Sequence, residues 1–231
     1  MIIGLDIGGS KIRGIFWNGK KILRFLETNT PKNKADFIKK FKILVSSLAV
    51  HKKVERVGIA AAGIILGNRI LSSPNIKYLK NFDFTALLLN KPLKVDNDAR
   101  AFLRSETWRL SRHVRTRGKI LGFTIGTGVG RAYGEKGMIK KIKAFEYPER
   151  WEKEYQRIRN VKDYNELAEF LARKLGPIIT KYKPNVVVFG GGIMDKRGFF
   201  RKLEKKLHVK CYKSCLGRKA GALGAAMLWK N

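Results

Sequence analysis

The sequence predicts an α/β protein made of two related halves flanking a cleft. Three observations carry that expectation. A strand, a Gly-rich hairpin and a second strand occur at residues 2–17 and again at 120–134. Segments of helical spacing alternate with short apolar strands after each hairpin. A third apolar run, VVVFGGG, ends in glycines ahead of a basic helix.

Element by element, strands are expected at 2–7, 12–17 and 21–27, joined by turns at Gly8-Gly9 and Asn18-Gly19. Phe37, Phe41, Leu44 and Leu48 fall at helical spacing, which predicts a helix over 35–49. A strand over 54–61 follows, then a turn at Gly67-Asn68, a short helix over 84–89 and a strand over 93–95. The stretch VDNDARAFLRSETWRL opens the next helix, and a basic linker covers 111–117. The pattern then restarts with strands at 120–125 and 131–134, a helix over 165–182, a strand over 185–189, and helices at 199–207 and 221–229.

Charge sets this chain apart. Fifty Lys and Arg stand against 18 Asp and Glu, a formal net of +32. The excess thickens in 104–119, 131–143 and 196–219. Such a surface attracts polyanions, nucleic acid included, without a dedicated motif. Thermophile surfaces enrich Glu along with Lys, and here acids are scarce. Each one therefore carries information. Asp6, Asp96, Asp98 and Glu106 lie in constrained segments, and Glu146, Glu149, Glu152 and Glu154 crowd into FEYPERWEKEY.

Several classes are set aside at this stage. No run reaches the roughly 18 apolar residues of a membrane span. No basic region followed by an apolar stretch opens the chain, so no signal peptide is expected. Cys211 and Cys215 make neither a disulfide framework nor a zinc site. A cytoplasmic protein is the expectation.

Three Gly-rich segments and one acidic segment carry the candidate chemistry. In LDIGGSKIRG, Asp6 interrupts an apolar strand where a charge is least expected. Gly8, Gly9, Ser10 and Lys11 then supply backbone N–H groups, a hydroxyl and a cation, a plausible cradle for phosphate oxygens. An ordinary hairpin would also use the two glycines. FTIGTGVG repeats the arrangement with Gly126, Thr127 and Gly128. Gly190, Gly191 and Gly192 leave bare backbone against which a flat ligand or phosphate could lie. None matches GxxxxGK[ST] or a dinucleotide fingerprint. In KVDNDARAFL, Asn97 and Asp98 stand where a strand gives way to a helix. Either residue type caps helices, and a carboxylate there could also accept a proton from an alcohol.

Taken in order, these motifs resemble the ROK family of sugar kinases and repressors, within the actin-like ATPase superfamily. DIGGSKIRG resembles the family's first phosphate motif, with Ser10 where Thr is usual. VGIAAAG with SSPN, VDNDARAF, GFTIGTGVG, VVVFGGGIMD and LGRKAGALGAAM resemble the motifs that follow. The resemblance implies an actin-like (ribonuclease H-like) α/β fold of two lobes with a nucleotide cleft between them. It divides the chain into a lobe over 1–116, completed by a closing helix at 219–231, and a second lobe over 117–218.

The same resemblance implies an ATP- and magnesium-dependent sugar kinase. Asp98 would be the base, with Asn97 and Asn75 at the sugar. Asp6 would organise magnesium through water. Gly8, Gly9, Ser10, Lys11, Gly126, Thr127 and Gly128 would hold phosphates, and Gly190, Gly191 and Gly192 would border the adenosine. The family's Glu-x-Gly-His element and cysteine-rich zinc loop are missing, because residues 135–164 contain neither Cys nor His. No zinc is expected, and Glu146, with Glu149 second, is the nearest replacement for the sugar-side Glu. Either could equally be a solvated charge. The first phosphate motif starts at residue 5, so no helix-turn-helix is expected before it. ATP, a small sugar, unspecific contact with nucleic acid and a homodimer are the partners this reading admits. Its alternatives are a catalytically silent nucleotide-binding protein with a polyanion-binding surface and, last, an ATPase that activates a partner protein.

Overall fold

Strand β1 (Ile2–Ile7) is paired antiparallel to β2 (Lys11–Trp17), which pairs antiparallel to β3 (Ile22–Asn29). The computed structural model describes residues 1–49, 52–87, 91–111 and 118–230. Helix α1 (Lys34–Ala49) buries Phe37, Phe41, Leu44 and Leu48, the four positions that predicted it. The chain continues through β4 (Arg56–Ala61), the small three-stranded sheet of β5 (Ile64–Leu66), β6 (Arg69–Ser72) and β7 (Phe82–Asp83), and β8 (Leu93–Asn97). A short 3-10 turn covers Phe84–Leu87 where a helix to 89 was expected, and 88–89 lie outside the described residues.

Helix α2 (Asp98–Leu110) leads to β9 (Lys119–Ile125), β10 (Val129–Glu135) and β11 (Met138–Lys140). Helices α3 (Glu152–Val161) and α4 (Tyr164–Tyr182) precede β12 (Val186–Gly190). Helix α5 (Phe199–Leu207), β13 (Cys211–Lys213) and α6 (Ala220–Ala226) complete the chain. The glycines after β12 do not open an α-helix directly. A 3-10 turn, Gly192–Asp195, intervenes before α5.

The chain divides into two units, Met1–Ser105 with Arg218–Asn231, and Glu106–Gly217. That division falls inside α2. The boundary expected at 116–117, and most of the basic linker before it, lie outside the described residues.

Each unit holds a five-stranded sheet of the same design. The orders are β3-β2-β1-β4-β8 and β11-β10-β9-β12-β13. In both, the first two pairings are antiparallel and the last two parallel. The hairpin echo in the sequence is therefore a repeat of topology, with the β1–β2 and β9–β10 hairpins in equivalent places.

In the first unit the small residues of α6 let it settle on β1 and β4, where Ala60, Ala101 and Ala225 are fully buried together. Close packing of this kind leaves no room for larger side chains. In the second unit α4 and α5 pack together, and Leu171, Leu175, Phe189, Phe199 and Leu203 join one core.

Candidate active site

In open α/β sheets ligands gather beyond the carboxyl ends of the parallel strands. Each unit places its candidate residues there. In the first, Gly8–Ser10 follow β1, and Asp98 follows β8. In the second, Gly126–Gly128 follow β9, and Gly191 follows β12.

Asp6 lies next to last in β1, its side chain 16 % exposed. Its carboxyl is pushed up to about 7, first by burial and then by the Asp98 charge, with Arg13 opposing both. Arg13 stands 3.8 Å away, too far to neutralise Asp6 closely, and gives its Nε to Glu27 at 2.8 Å instead. Lys11 and Arg218 also reach Glu27, at 3.7 and 3.6 Å. The cations around Asp6 are thus held by another acid. Among the described residues, no group of three or more His, Cys, Asp or Glu could hold a metal ion.

Asn97 and Asp98 divide the work at the start of α2. The Asn97 side chain accepts from the N–H groups of Ala99 (3.0 Å) and Arg100 (3.3 Å) and donates to the Gly63 carbonyl (3.0 Å). Asn97 is the N-cap. Among the described residues Asp98 accepts the N–H of Ala99 through Oδ1, at 2.9 Å, and its own backbone N–H. Its pKa is raised, chiefly by burial, although those hydrogen bonds and Arg100 pull it down. Asp96 is locked away from this chemistry, with Arg100 and Arg104 each donating to it at 2.5 Å.

The first hairpin is tied down from one side. The Thr30 hydroxyl donates to the Gly8 carbonyl at 2.6 Å, and the Thr30 N–H donates to the Ser10 carbonyl at 3.1 Å. Among the described residues the N–H groups of Gly9 and Ser10 have no acceptor. Asn75 lies directly against the hairpin, because a Cβ on Gly9 would stand 2.6 Å from that of Asn75. Sequence reasoning had no signal for that contact.

The second hairpin presents Gly126, Thr127 and Gly128, with Thr127 exposed. At the end of β12, Gly190 is buried, whereas Gly191 and Gly192 are exposed. Gly191 has φ +92° and lies on the Ile125 backbone, so it sits immediately behind this hairpin.

Glu146 leaves the solvated surface, whereas Glu149 is only partly covered. Glu146 is buried at 7 % exposure on the 3-10 turn Lys143–Glu146. Glu149 pairs with Arg131. Sequence reasoning missed Arg131, which is 4 % exposed and donates to the carbonyls of Ala144 (3.2 Å) and Tyr147 (2.5 Å). It fixes the segment that carries Glu146. A buried cation on an alternating strand was the available signal, hidden by the abundance of Arg and Lys.

The ROK family model matches residues 2–140 and 136–231. The chain belongs to the ROK family. A β-glucoside kinase of Klebsiella pneumoniae is 28% identical over 137 residues. That match takes in 57% of this chain and 45% of the kinase, so the chain aligns with less than half the length of this curated relative. Among solved structures, an inorganic polyphosphate/ATP-glucomannokinase from Arthrobacter sp. strain KM is 26% identical, with a TM-score of 0.84. The likeness covers 98% of this chain and 97% of that one. A ROK family glucokinase from Streptomyces griseus, in complex with glucose and AMPPNP, is 21% identical with a TM-score of 0.83, covering 98% of each chain. The fold is that of the ROK proteins, an α/β fold of the actin-like ATPase class.

Proposed function

We propose that the chain is an ATP-dependent kinase that phosphorylates a hydroxyl of a hexose or hexosamine-like sugar. The observation that carries this reading is Asp98. It is a sparingly hydrogen-bonded carboxylate of raised pKa, released from capping by Asn97. Such a group is suited to accept a proton near neutral pH. One oxygen is fixed by Ala99, which leaves the other for the sugar hydroxyl. The proton passes to Asp98 as the hydroxyl oxygen takes the terminal phosphoryl group, and ADP leaves. Phosphoryl transfer asks mainly for positioning and neutralisation of charge.

In this reading Gly8, Gly9, Ser10 and Lys11 hold phosphates in the first unit, as Gly126, Thr127 and Gly128 do in the second. Gly190, Gly191 and Gly192 border the adenosine. Asn97 has a second amide N–H for a sugar hydroxyl, and Asn75 and Glu146 complete the sugar side. Asp6 fits a magnesium ion held through water, because its carboxyl lacks close neutralisation and magnesium keeps much of its hydration shell. When bound, that ion would offset phosphate charge.

The names of the relatives, a β-glucoside kinase and a glucomannokinase, support a sugar acceptor. The glucomannokinase is also named for inorganic polyphosphate. With the +32 charge, that favours polyphosphate as a second donor. A silent polyanion-binding protein remains the alternative, and turnover separates the two. Magnesium ATP should raise the melting temperature, since it binds the folded state. A coupled assay over hexoses, hexosamines and polyols should then find a sugar that accelerates ADP release. A melting temperature indifferent to millimolar magnesium ATP would sink the kinase and its silent alternative together.

A further inference from the structure

Helix α3 occupies the part of the chain where the family's zinc loop is missing, and its residues converge on the second hairpin. Tyr155 donates its hydroxyl to the Gly126 carbonyl at 2.7 Å. Arg159 donates through Nη1 to the carbonyls of Gly126 and Thr127, at 2.9 Å each. Gln156 adds a weaker bond to the Thr127 carbonyl at 3.4 Å. Glu152 accepts the N–H of Val129 at 2.9 Å. Tyr155 is fully buried, and burial pushes its phenol up, so it stays a donor.

Those bonds fix more than the carbonyls. In a planar trans peptide the C=O and N–H point in opposite directions. Turning the carbonyls of Gly126 and Thr127 towards α3 therefore turns the N–H groups of Thr127 and Gly128 away from it. Neither N–H has an acceptor among the described residues. Two adjacent N–H groups aimed at the same side form an anion-binding concavity. A guanidinium behind the carbonyls polarises both peptides and strengthens the N–H groups as donors. Thr30 ties the Gly8 and Ser10 carbonyls in the same manner. The two hairpins are braced on one plan by unrelated residues.

We propose that Arg159, supported by Tyr155 and Glu152, is the positioning residue that orients the Thr127 and Gly128 N–H groups towards the donor's phosphates. The inference rests on the kinase reading, and it adds residues that need not touch the donor. Besides this brace, Arg159 bonds its neighbour Asn160 at 2.9 and 3.3 Å and lies over the Tyr155 ring at 5.9 Å. Removing its head group therefore leaves the buried core of α3, Tyr155 and Ile158, in place.

The test compares wild type, Arg159→Met, Arg159→Lys and Tyr155→Phe in the full chain. Magnesium ATP and inorganic tripolyphosphate serve as calorimetric probes, and steady-state kinetics as the second readout. A misplaced positioning group costs about 10–10²-fold. Arg159→Met should weaken both probes by about that factor and raise the KM for ATP with the sugar KM unchanged. Arg159→Lys, which keeps the charge on a shorter stem without the planar fork, should fall between. Tyr155→Phe should weaken the probes less than Arg159→Met. A melting temperature within a few degrees of wild type shows that the fold persists. Wild type that binds both probes, with Arg159→Met binding them equally well, overturns the inference and leaves the kinase reading intact. Wild type that binds neither probe overturns both.

Discussion

Gly221 lies against the carboxyl group of Asp6. A Cβ at Gly221 would stand 2.6 Å from the Asp6 Cγ and 2.6 Å from its Oδ2. No carboxylate tolerates a methyl group at that distance. The close approach lets α6 pass directly behind the strand that carries Asp6. Glycine inside a helix ordinarily costs about 1 kcal/mol relative to alanine. Here the sign should reverse. Gly221→Ala should destabilise the fold by roughly 1–3 kcal/mol, the usual cost of overpacking. It should also blunt the magnesium-dependent part of the ATP response. Thermal melting with ATP, with and without magnesium, checks both. A stabilised variant with an undiminished response would show that the contact has no bearing on Asp6.

Asp6 also makes a prediction about pH. Its carboxyl is raised from 3.8 to about 7, first by burial. Between those values the folded chain keeps a proton that the unfolded chain has lost. Stability from this group therefore falls as pH rises through that window. A shift of this size corresponds to about 4 kcal/mol. Asp6→Asn should melt close to wild type at pH 4 and clearly above it at pH 8, while losing its magnesium-dependent ATP response. Equal melting temperatures at both pH values would mean that Asp6 is already neutralised in the folded chain.

Capping and catalysis, inseparable in the sequence, separate here. Asn97 and Asp98 are both good caps, and VDNDARAF offers no way to choose between them. The structure gives the cap to Asn97. Asn97→Ala should cost about 1–2 kcal/mol, and more if the Gly63 carbonyl is left unpaired. Asp98→Ala should cost less. Denaturant unfolding of the two variants decides it, and the reverse order would return the cap to Asp98.

The strongly periodic elements were legible from sequence, and so were the places of the Gly-rich turns. Helix α1 shows its stripe of Phe37, Phe41, Leu44 and Leu48, and β1 and β9 are apolar runs that stop at glycines. Helix α3 was not read. It buries only Tyr155 and Ile158, its first residue has no side-chain cap, and the rest of EKEYQRIRNV is polar except the exposed Val161. Two apolar residues make no stripe. Its importance lies in polar bonds to backbone carbonyls, which leave no pattern in a single sequence. The crowding of glutamates in an acid-poor chain was the one available hint, and Glu152 is bonded to the second hairpin. Strand β13 escaped for a similar reason, being three residues long among lysines.

The basic surface should behave as a diffuse polyanion trap. Among the described residues no helix is long and apolar enough to cross a membrane. Affinity for duplex DNA should fall linearly on a logarithmic salt axis and ignore sequence. Fluorescence anisotropy with two unrelated duplexes, from 50 to 300 mM salt on the order of physiological strength, checks it. Sequence-selective binding that persists at the high end would displace sugar phosphorylation as the main function.

The proposed base is Asp98. Asp98→Asn keeps the volume of the side chain, leaves the Asn97 cap untouched and relieves a half-buried charge. Melting temperature and magnesium ATP affinity should therefore hold or rise slightly. The decisive measurement is sugar-dependent ADP release by this variant, at saturating ATP, beside wild type. Turnover should fall by about 10²–10⁴-fold, the worth of a positioned acid–base group. A folded, ATP-binding Asp98→Asn chain that phosphorylates sugar at close to the wild-type rate would contradict the account.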